Sequence, residues 1–306
     1  MRYIKRFKTN ADYEAFKNSA DWVTPNVSSI VGEVKVKCTK FVPPPALCDI
    51  AYWDGSSVKT VSKDKWDSSL GTAIGVVVIP EGMLPDGKAR MISLYDVDSN
   101  GNAVTSATSM VWGGYGIDTS LTNYTKVPTT DNSGSTSTGT NNYGYLPSDK
   151  FTGAQSYVDS KAKYNGSSNL IPSPYLDDKT LNPEYCKEIS GNNALSDFNG
   201  LNNTEVLVSL GTDYKAANAA WKYKDGVSNT QWYLPAMGEL GFLMVRFNEI
   251  NAAITAAGGT AVSGSDSYWS SSEYSSGYAC NLDAYYGTVY NYYKDNYYYV
   301  RPLAVV

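Results

Sequence analysis

The chain has no histidine, so the commonest general base and the commonest metal ligand are both missing. Its four cysteines, Cys38, Cys48, Cys186 and Cys280, form neither a C-x-x-C pair nor a zinc-ligand spacing. Cys38 and Cys48 can meet across the Pro43-Pro44-Pro45 bend, but buried thiols are the plainer reading. Asp96-Val97-Asp98-Ser99-Asn100-Gly101 matches the opening half of an EF-hand loop. Ala107 stands where the closing glutamate would be, so a hairpin turn explains the segment better than calcium does. There is no glycine-rich phosphate loop, and 30 acidic residues spread over 306 positions single out no carboxylate pair of the glycosidase kind. The sequence therefore predicts no catalytic set, no metal site and no cofactor.

Tyrosine is the residue type that stands out. Of 26 tyrosines, fifteen lie in residues 1–266 and eleven in the last forty. From Tyr285 to Tyr299, eight of fifteen residues are tyrosine. Buried phenols each need a hydrogen-bond partner, so a core built this way is costly. On a surface, tyrosine offers a large, rigid, amphipathic contact area at little entropic cost, as antibody loops show. The sparse apolar residues Leu282, Val289, Val300, Leu303 and Val305 read as core anchors between displayed positions. A plain aromatic-rich sheet or an adhesive low-complexity segment is the competing explanation.

The elements that would carry this tail follow from the rest of the chain. With 25 basic against 30 acidic residues the net charge is −5, which argues against a nucleic-acid partner. No run of about 18 apolar residues exists, so no membrane-inserted helix is predicted. The opening Met1-Arg-Tyr-Ile-Lys-Arg-Phe-Lys8 has the charges of a signal peptide without its apolar core, which predicts synthesis in the cytoplasm with no Sec leader. Residues 1–65 read as a small separate β-rich module, with a helix over 11–20 and strands within 28–41. Residues 66–306 read as a second domain. Strands are predicted over Thr72–Pro80 and Ala89–Tyr95, and a polar insertion over 128–200. Helices are predicted over 204–210, 214–223 and Ala236–Ala256, the last stopped by Gly258-Gly259. Hairpin strands follow at Asn281–Ala284 and Gly287–Asn291, then a terminal strand over Tyr298–Val306. Strands, then helices, then strands make an α+β pattern.

Several short motifs stand in a specific order: Asp197…Gly200…Asn203-Thr204…Ala216-Ala217…Trp232-Tyr-Leu-Pro235…Glu239-Leu240…Trp269-Ser-Ser…Val300-Arg301-Pro302. In that order and spacing they resemble the C-type lectin fold of the formylglycine-generating-enzyme type, strongly over 196–306 and thinly before. Within that group the tail resembles the variable region of a protein diversified by a retroelement, here at about 268–300. The resemblance implies a template copied with errors at adenines, so that asparagine codons become others. Tyr278, Tyr285, Tyr286, Tyr290, Tyr292, Tyr293, Tyr297 and Tyr298 are each one base from asparagine, as are Asp283, Asp295 and Thr288. Asn281, Asn291 and Asn296 would be unaltered, and Gly277 and Cys280 are two bases away. Between 277 and 299, Lys294 alone lies outside the reachable alphabet.

The resemblance implies a ligand-binding surface made of Gly277, Tyr278, Cys280, Asp283, Tyr285, Tyr286, Thr288, Tyr290, Asn291, Tyr292, Tyr293, Asp295, Asn296, Tyr297 and Tyr298. It implies a receptor-binding protein of a phage tail, located in the virion. Its expected partners are a bacterial surface protein or glycan and, through residues 1–65, other tail proteins, with homo-oligomerisation left open. A bacterial surface adhesin of the same fold is the alternative. An enzyme of the formylglycine-generating type would need paired cysteines near the end of the domain, where this chain has only Cys280.

Overall fold

A computed structural model describes residues 43–84, 86–106, 108–121, 129–130, 136–137, 142–145, 148–150, 194, 197–285 and 287–306. The elements expected at 11–20 and 28–41, and most of the 128–200 insertion, lie outside these residues. The chain divides into two compact units, Met1–Pro44 and Pro45–Val306. The division expected at residue 65 therefore moves to the proline run. Its cause is β1 (Ile50–Trp53), which pairs with β2 (Val58–Val61) and with β3 (Thr72–Ile79), tying residues 50–61 into the second unit.

The second unit is α+β, with antiparallel sheets. The larger sheet has six strands in the order β11-β16-β4-β3-β1-β2, where β4 is Arg90–Ser93, β11 is Trp232–Tyr233 and β16 is Leu303–Val305. Strand β3 is a continuous apolar run rather than an alternating one, because its last six residues are all buried. Short strands β5 (Asp96–Val97) and β6 (Ala103–Val104) form a hairpin. Asp98 closes its turn by accepting from the Asn100 and Asn102 backbone N–H groups and from the Asn102 side-chain amide. The EF-hand-like half-motif is thus accounted for by turn chemistry.

Strand β7 (Met110–Val111) pairs with β15 (Tyr297–Tyr298). In the insertion, β8 (Thr129–Thr130) pairs with β9 (Thr136–Ser137), and β10 (Asn142–Tyr145) joins the second sheet. That sheet has the order β10-β14-β13-β12, with β12 at Ser267–Glu273, β13 at Tyr278–Asp283 and β14 at Thr288–Tyr293. The hairpin expected about residues 284–287 is therefore present, with longer arms.

Helices α1 (Gly200–Leu210), α2 (Lys215–Lys222), α3 (Met237–Val245) and α4 (Phe247–Ala256) lie between β10 and β12 in sequence, with β11 between α2 and α3. The single helix expected over 236–256 breaks at Arg246, whose φ of −117° and ψ of 40° leave the helical region. The apolar spacing continues across the break, so periodicity alone does not reveal it. The terminal strand also splits. Arg301 turns inward between β15 and β16, donating to Ser93 O at 2.9 Å, Asp96 Oδ1 at 3.1 Å and Thr260 O at 2.7 Å.

The motif residues singled out in the sequence form a buried polar frame between helices and sheet. Asp197 accepts from the Ser272 hydroxyl at 2.7 Å, the Asn203 amide at 2.9 Å and the Asn199 N–H at 3.0 Å. Burial pushes its carboxyl above the ordinary aspartate value, against the pull of those donors. Ser272 Oγ in turn accepts from Met237 N at 2.9 Å, satisfying an otherwise open N–H in the first turn of α3. A register irregularity in β12 lies between Trp269 and Glu273, at Ser270-Ser271-Ser272. Glu239 accepts from Ala236 N, the Tyr233 hydroxyl and Arg90 Nε, at 2.8, 2.8 and 3.3 Å. A Cβ at Gly200 would sit 2.2 Å from Glu239 Oε2, so only glycine fits there.

Candidate binding surface

Alternation sorts the tail residues by face. Along β13 and β14 the directly opposed pairs are Tyr278–Tyr293, Ala279–Tyr292, Cys280–Asn291, Asn281–Tyr290, Leu282–Val289 and Asp283–Thr288. Opposed residues share a face. Cys280, Leu282 and Val289 belong to the core that includes Leu240 and Leu243 of α3, while Ala279 joins Trp269 in a second core on the other side. The middle of the sheet is thus buried on both faces, and display is confined to its ends and rims.

Tyr297, Tyr285, Tyr293 and Tyr292 are 64%, 53%, 44% and 37% exposed. Tyr278, Tyr290, Tyr298, Gly277, Asp283 and Asn296 are half-buried, and Asp295 is exposed. Cys280 and Asn291 are fully buried, which corrects their assignment to the surface: they face each other on the inward side of the hairpin. Tyr286 lies outside the described residues. Thr288 is placed on β14 opposite Asp283, and its side chain is likewise outside the description.

The rings form a continuous band. Tyr278 and Tyr293 stack with centroids 4.5 Å apart and planes tilted by 33°. Tyr274 lies edge-on to Tyr278 at 6.4 Å. Tyr293 meets Tyr292 at 5.8 Å, Tyr292 meets Tyr298 at 5.8 Å, and Tyr298 rests on buried Trp269 at 4.7 Å. Such tilted contacts suit the ring quadrupoles. A hydrogen bond with Tyr293 pushes the Tyr278 phenol up to about 12, and burial pushes Tyr298 up to about 12. Both stay neutral hydroxyls near neutral pH, able to donate and accept.

Two exposed apolar residues on a loop joined to this band were not foreseen from sequence. Tyr115 is 55% exposed with its ring 6.3 Å from Tyr293, and Ile117 is 53% exposed two residues on. They sit on the loop that follows Trp112. Gly113, Gly114 and Gly116 in that loop all have positive φ, and a Cβ at Gly113 would fall 1.8 Å from Asp213 O. The Trp-Gly-Gly-Tyr-Gly-Ile spacing was the available signal, since clustered glycines mark a tightly bent, closely packed loop.

Lys294 fastens this loop to the tail. Its side chain is fully buried beside Glu273, with Nζ 2.5 Å from Oε1, and lies 4.7 Å from the Trp112 ring centroid. Nζ also donates to Ile117 O at 2.8 Å, and the Lys294 carbonyl accepts from Gly113 N at 3.1 Å. Burial holds the Lys294 pKa below the ordinary lysine value. Glu273 accepts further from the Thr119 N–H and hydroxyl, at 3.0 and 2.8 Å. At the other end of the hairpin, Lys150 donates to Ala284 O and Tyr285 O, and Asp149 caps α4 by accepting from Asn248 N and Glu249 N.

Among the described residues no group of three or more His, Cys, Asp or Glu is placed to hold a metal, and no helix is long and apolar enough to cross a membrane. No protein-family model matches the chain, and none of the curated proteins matches it. Among solved structures, the chain is similar to the crystal structure of a fimbrial protein from Bacteroides ovatus, at 16% identity and a TM-score of 0.43. The match covers 85% of this chain and 49% of that one, so it spans about half the length of the fimbrial protein.

Proposed function

We propose that the chain is a ligand-binding display protein whose C-terminal surface captures a bacterial surface receptor and performs no bond chemistry. The observation that carries this reading is the exposure of Tyr285, Tyr292 and Tyr293 on a hairpin whose intervening residues are core, with Tyr297 exposed on β15 beyond it. Surface tyrosines at this density serve contact well. The displayed set is Tyr278, Tyr285, Tyr290, Tyr292, Tyr293, Asp295, Asn296, Tyr297 and Tyr298.

Diversification by a retroelement, on a C-type lectin scaffold of the formylglycine-generating type, is part of the proposal. Its support is the excess of tyrosines one base from asparagine. A second support is that Lys294, the residue such copying cannot reach, is a fully buried ion-pair partner. A phage tail is the proposed setting, and a bacterial surface adhesin of the same fold is the other reading. Formylglycine-type chemistry fits poorly, because Cys280 is enclosed in the sheet core.

The test has two parts. The neighbouring DNA should hold an imperfect repeat of the tail that differs only opposite adenines, beside a reverse-transcriptase gene. Exchanging residues 277–298 for a differently rewritten tail, with Lys294 kept, should change which cells are bound while the melting temperature persists. Unchanged cell binding after the exchange would place recognition elsewhere in the chain. Turnover of peptides, esters or sulfatase-type substrates would defeat the reading as a whole.

A further inference from the structure

We infer that the tyrosine band and the Gly113–Asp118 loop form one composite surface, and that this surface takes a partner protein presenting lysine and arginine side chains. The inference rests on the display reading above and narrows it to one class of partner.

The loop is physically continuous with the tail. Besides the Tyr115–Tyr293 ring contact, Gly116 N donates to Ser276 O at 2.9 Å, and a Cβ on Gly277 would meet the Tyr115 ring at 3.7 Å. Tyr115 and Ile117 thus extend the contact area with residues that lie far from the tail in sequence. A partner that covers Tyr293 would also cover Tyr115.

The charge around this end is mainly acidic. Asp118 and Asp295 are exposed. Lys294 is the only cation within residues 113–118 and 274–298, and it is fully buried against Glu273. At the far end Lys150 lies with its Nζ 5.6 Å from the Tyr285 ring centroid and offsets the nearby Asp283. The loop also packs on the start of α2, where Asp213 and Lys215 are both exposed. Among the described residues the surface near Tyr115 and Tyr293 therefore pairs phenol faces with three exposed carboxylates, Asp118, Asp213 and Asp295, against the one lysine. Cations favour aromatic faces and carboxylates alike, whereas a polyanionic glycan would be repelled.

The experiment presents the purified full chain with two probes in parallel, a random displayed-peptide library and a glycan array. Selected peptides are expected to be enriched in Lys and Arg, and their binding should fall several-fold between low and about 0.5 M salt. Tyr115→Ala should weaken the selected peptides about tenfold or more, the loss typical of a central aromatic contact. Asp118→Asn with Asp295→Asn should weaken them several-fold and remove most of the salt dependence. Val227→Ala, at an exposed site on the loop before β11, should leave binding unchanged, and melting curves confirm that each variant is folded. Selection of neutral or acidic peptides, or indifference to the Asp118 and Asp295 changes, would overturn the inference while sparing the display reading. Capture of glycans alone would overturn the choice of partner class. Binding to neither probe would count against both readings.

Discussion

Trp269 and Tyr297 differ by burial rather than by aromatic character. Trp269 is fully buried and donates its indole N–H to Met110 O at 2.8 Å, whereas Tyr297 stands 64% exposed. Trp269→Ala should cost about 3–5 kcal/mol of stability, and Tyr297→Ser within about 0.5 kcal/mol, both read from denaturant melts. Equal losses would mean that the tail tyrosines are structural. Glu239 supplies a pH test. Burial raises its carboxyl to about 7 from an ordinary 4.5, despite the Ala236 N–H, Arg90 and Tyr233 acting to lower it. Between those values the folded chain keeps a proton that the unfolded chain has released. The associated stability is therefore complete below pH 4.5 and is lost as pH rises through about 7, a change of about 3 kcal/mol. Glu239→Gln should abolish that slope in thermal melts between pH 4.5 and 8, even though the amide fits the site less well.

At the scale of elements, the Lys294–Glu273 pair joins the end of β12 to the turn after β14 and to the 113–121 loop. Breaking a buried pair strands a charge, so Lys294→Met should cost about 3–5 kcal/mol. Amide hydrogen exchange should also speed up at Gly113 and at Thr119, whose N–H groups depend on Lys294 O and Glu273. Adding Glu273→Gln should recover a large part of the loss, since no isolated charge then remains; no recovery would show that the pair is not acting as a unit. Much at this scale was legible in advance. The β3 run, helix α2 and the β13–β14 hairpin follow from apolar spacing and turn residues. The break at Arg246 and the split of the last strand were not legible. Both are set by distant partners, Arg301 by Ser93, Asp96 and Thr260, which a local pattern does not contain. The candidate site divides in the same way. Tyrosine density pointed to a hairpin on which Tyr285, Tyr292 and Tyr293 are exposed, but the inward orientation of Cys280 and Asn291 depends on register. Tyr115 joins only through tertiary contact across more than a hundred and fifty residues.

For the whole molecule, the boundary between units shows the same limit. The Pro43–Pro45 run looked like punctuation within a module, yet the pairing of β1 with β3 makes it the division itself. The polar insertion looked devoid of structural content, but it supplies β10, which lies against β14 with Asn142 opposite Tyr290 and Tyr145 opposite Thr288. Replacing residues 129–145 by a short Gly-Ser linker should therefore leave the cores of the unit intact, so that a cooperative melt survives. Light scattering should report stronger concentration-dependent self-association than the intact chain shows. A deleted chain that associates no more than the intact one would mean that β10 is dispensable.

The position of β14 between β10 and β13 bears on how freely its sequence can drift. A strand rich in tyrosine, if left on the rim of a sheet, would present unpaired N–H and C=O groups to any other copy and invite aggregation. Held inside the sheet, its backbone is already spoken for on both sides. Side chains at its outward positions can then change wholesale without each new version risking an amyloid-like fate. The backbone of this strand is shielded by β10 and β13, whatever its side chains are.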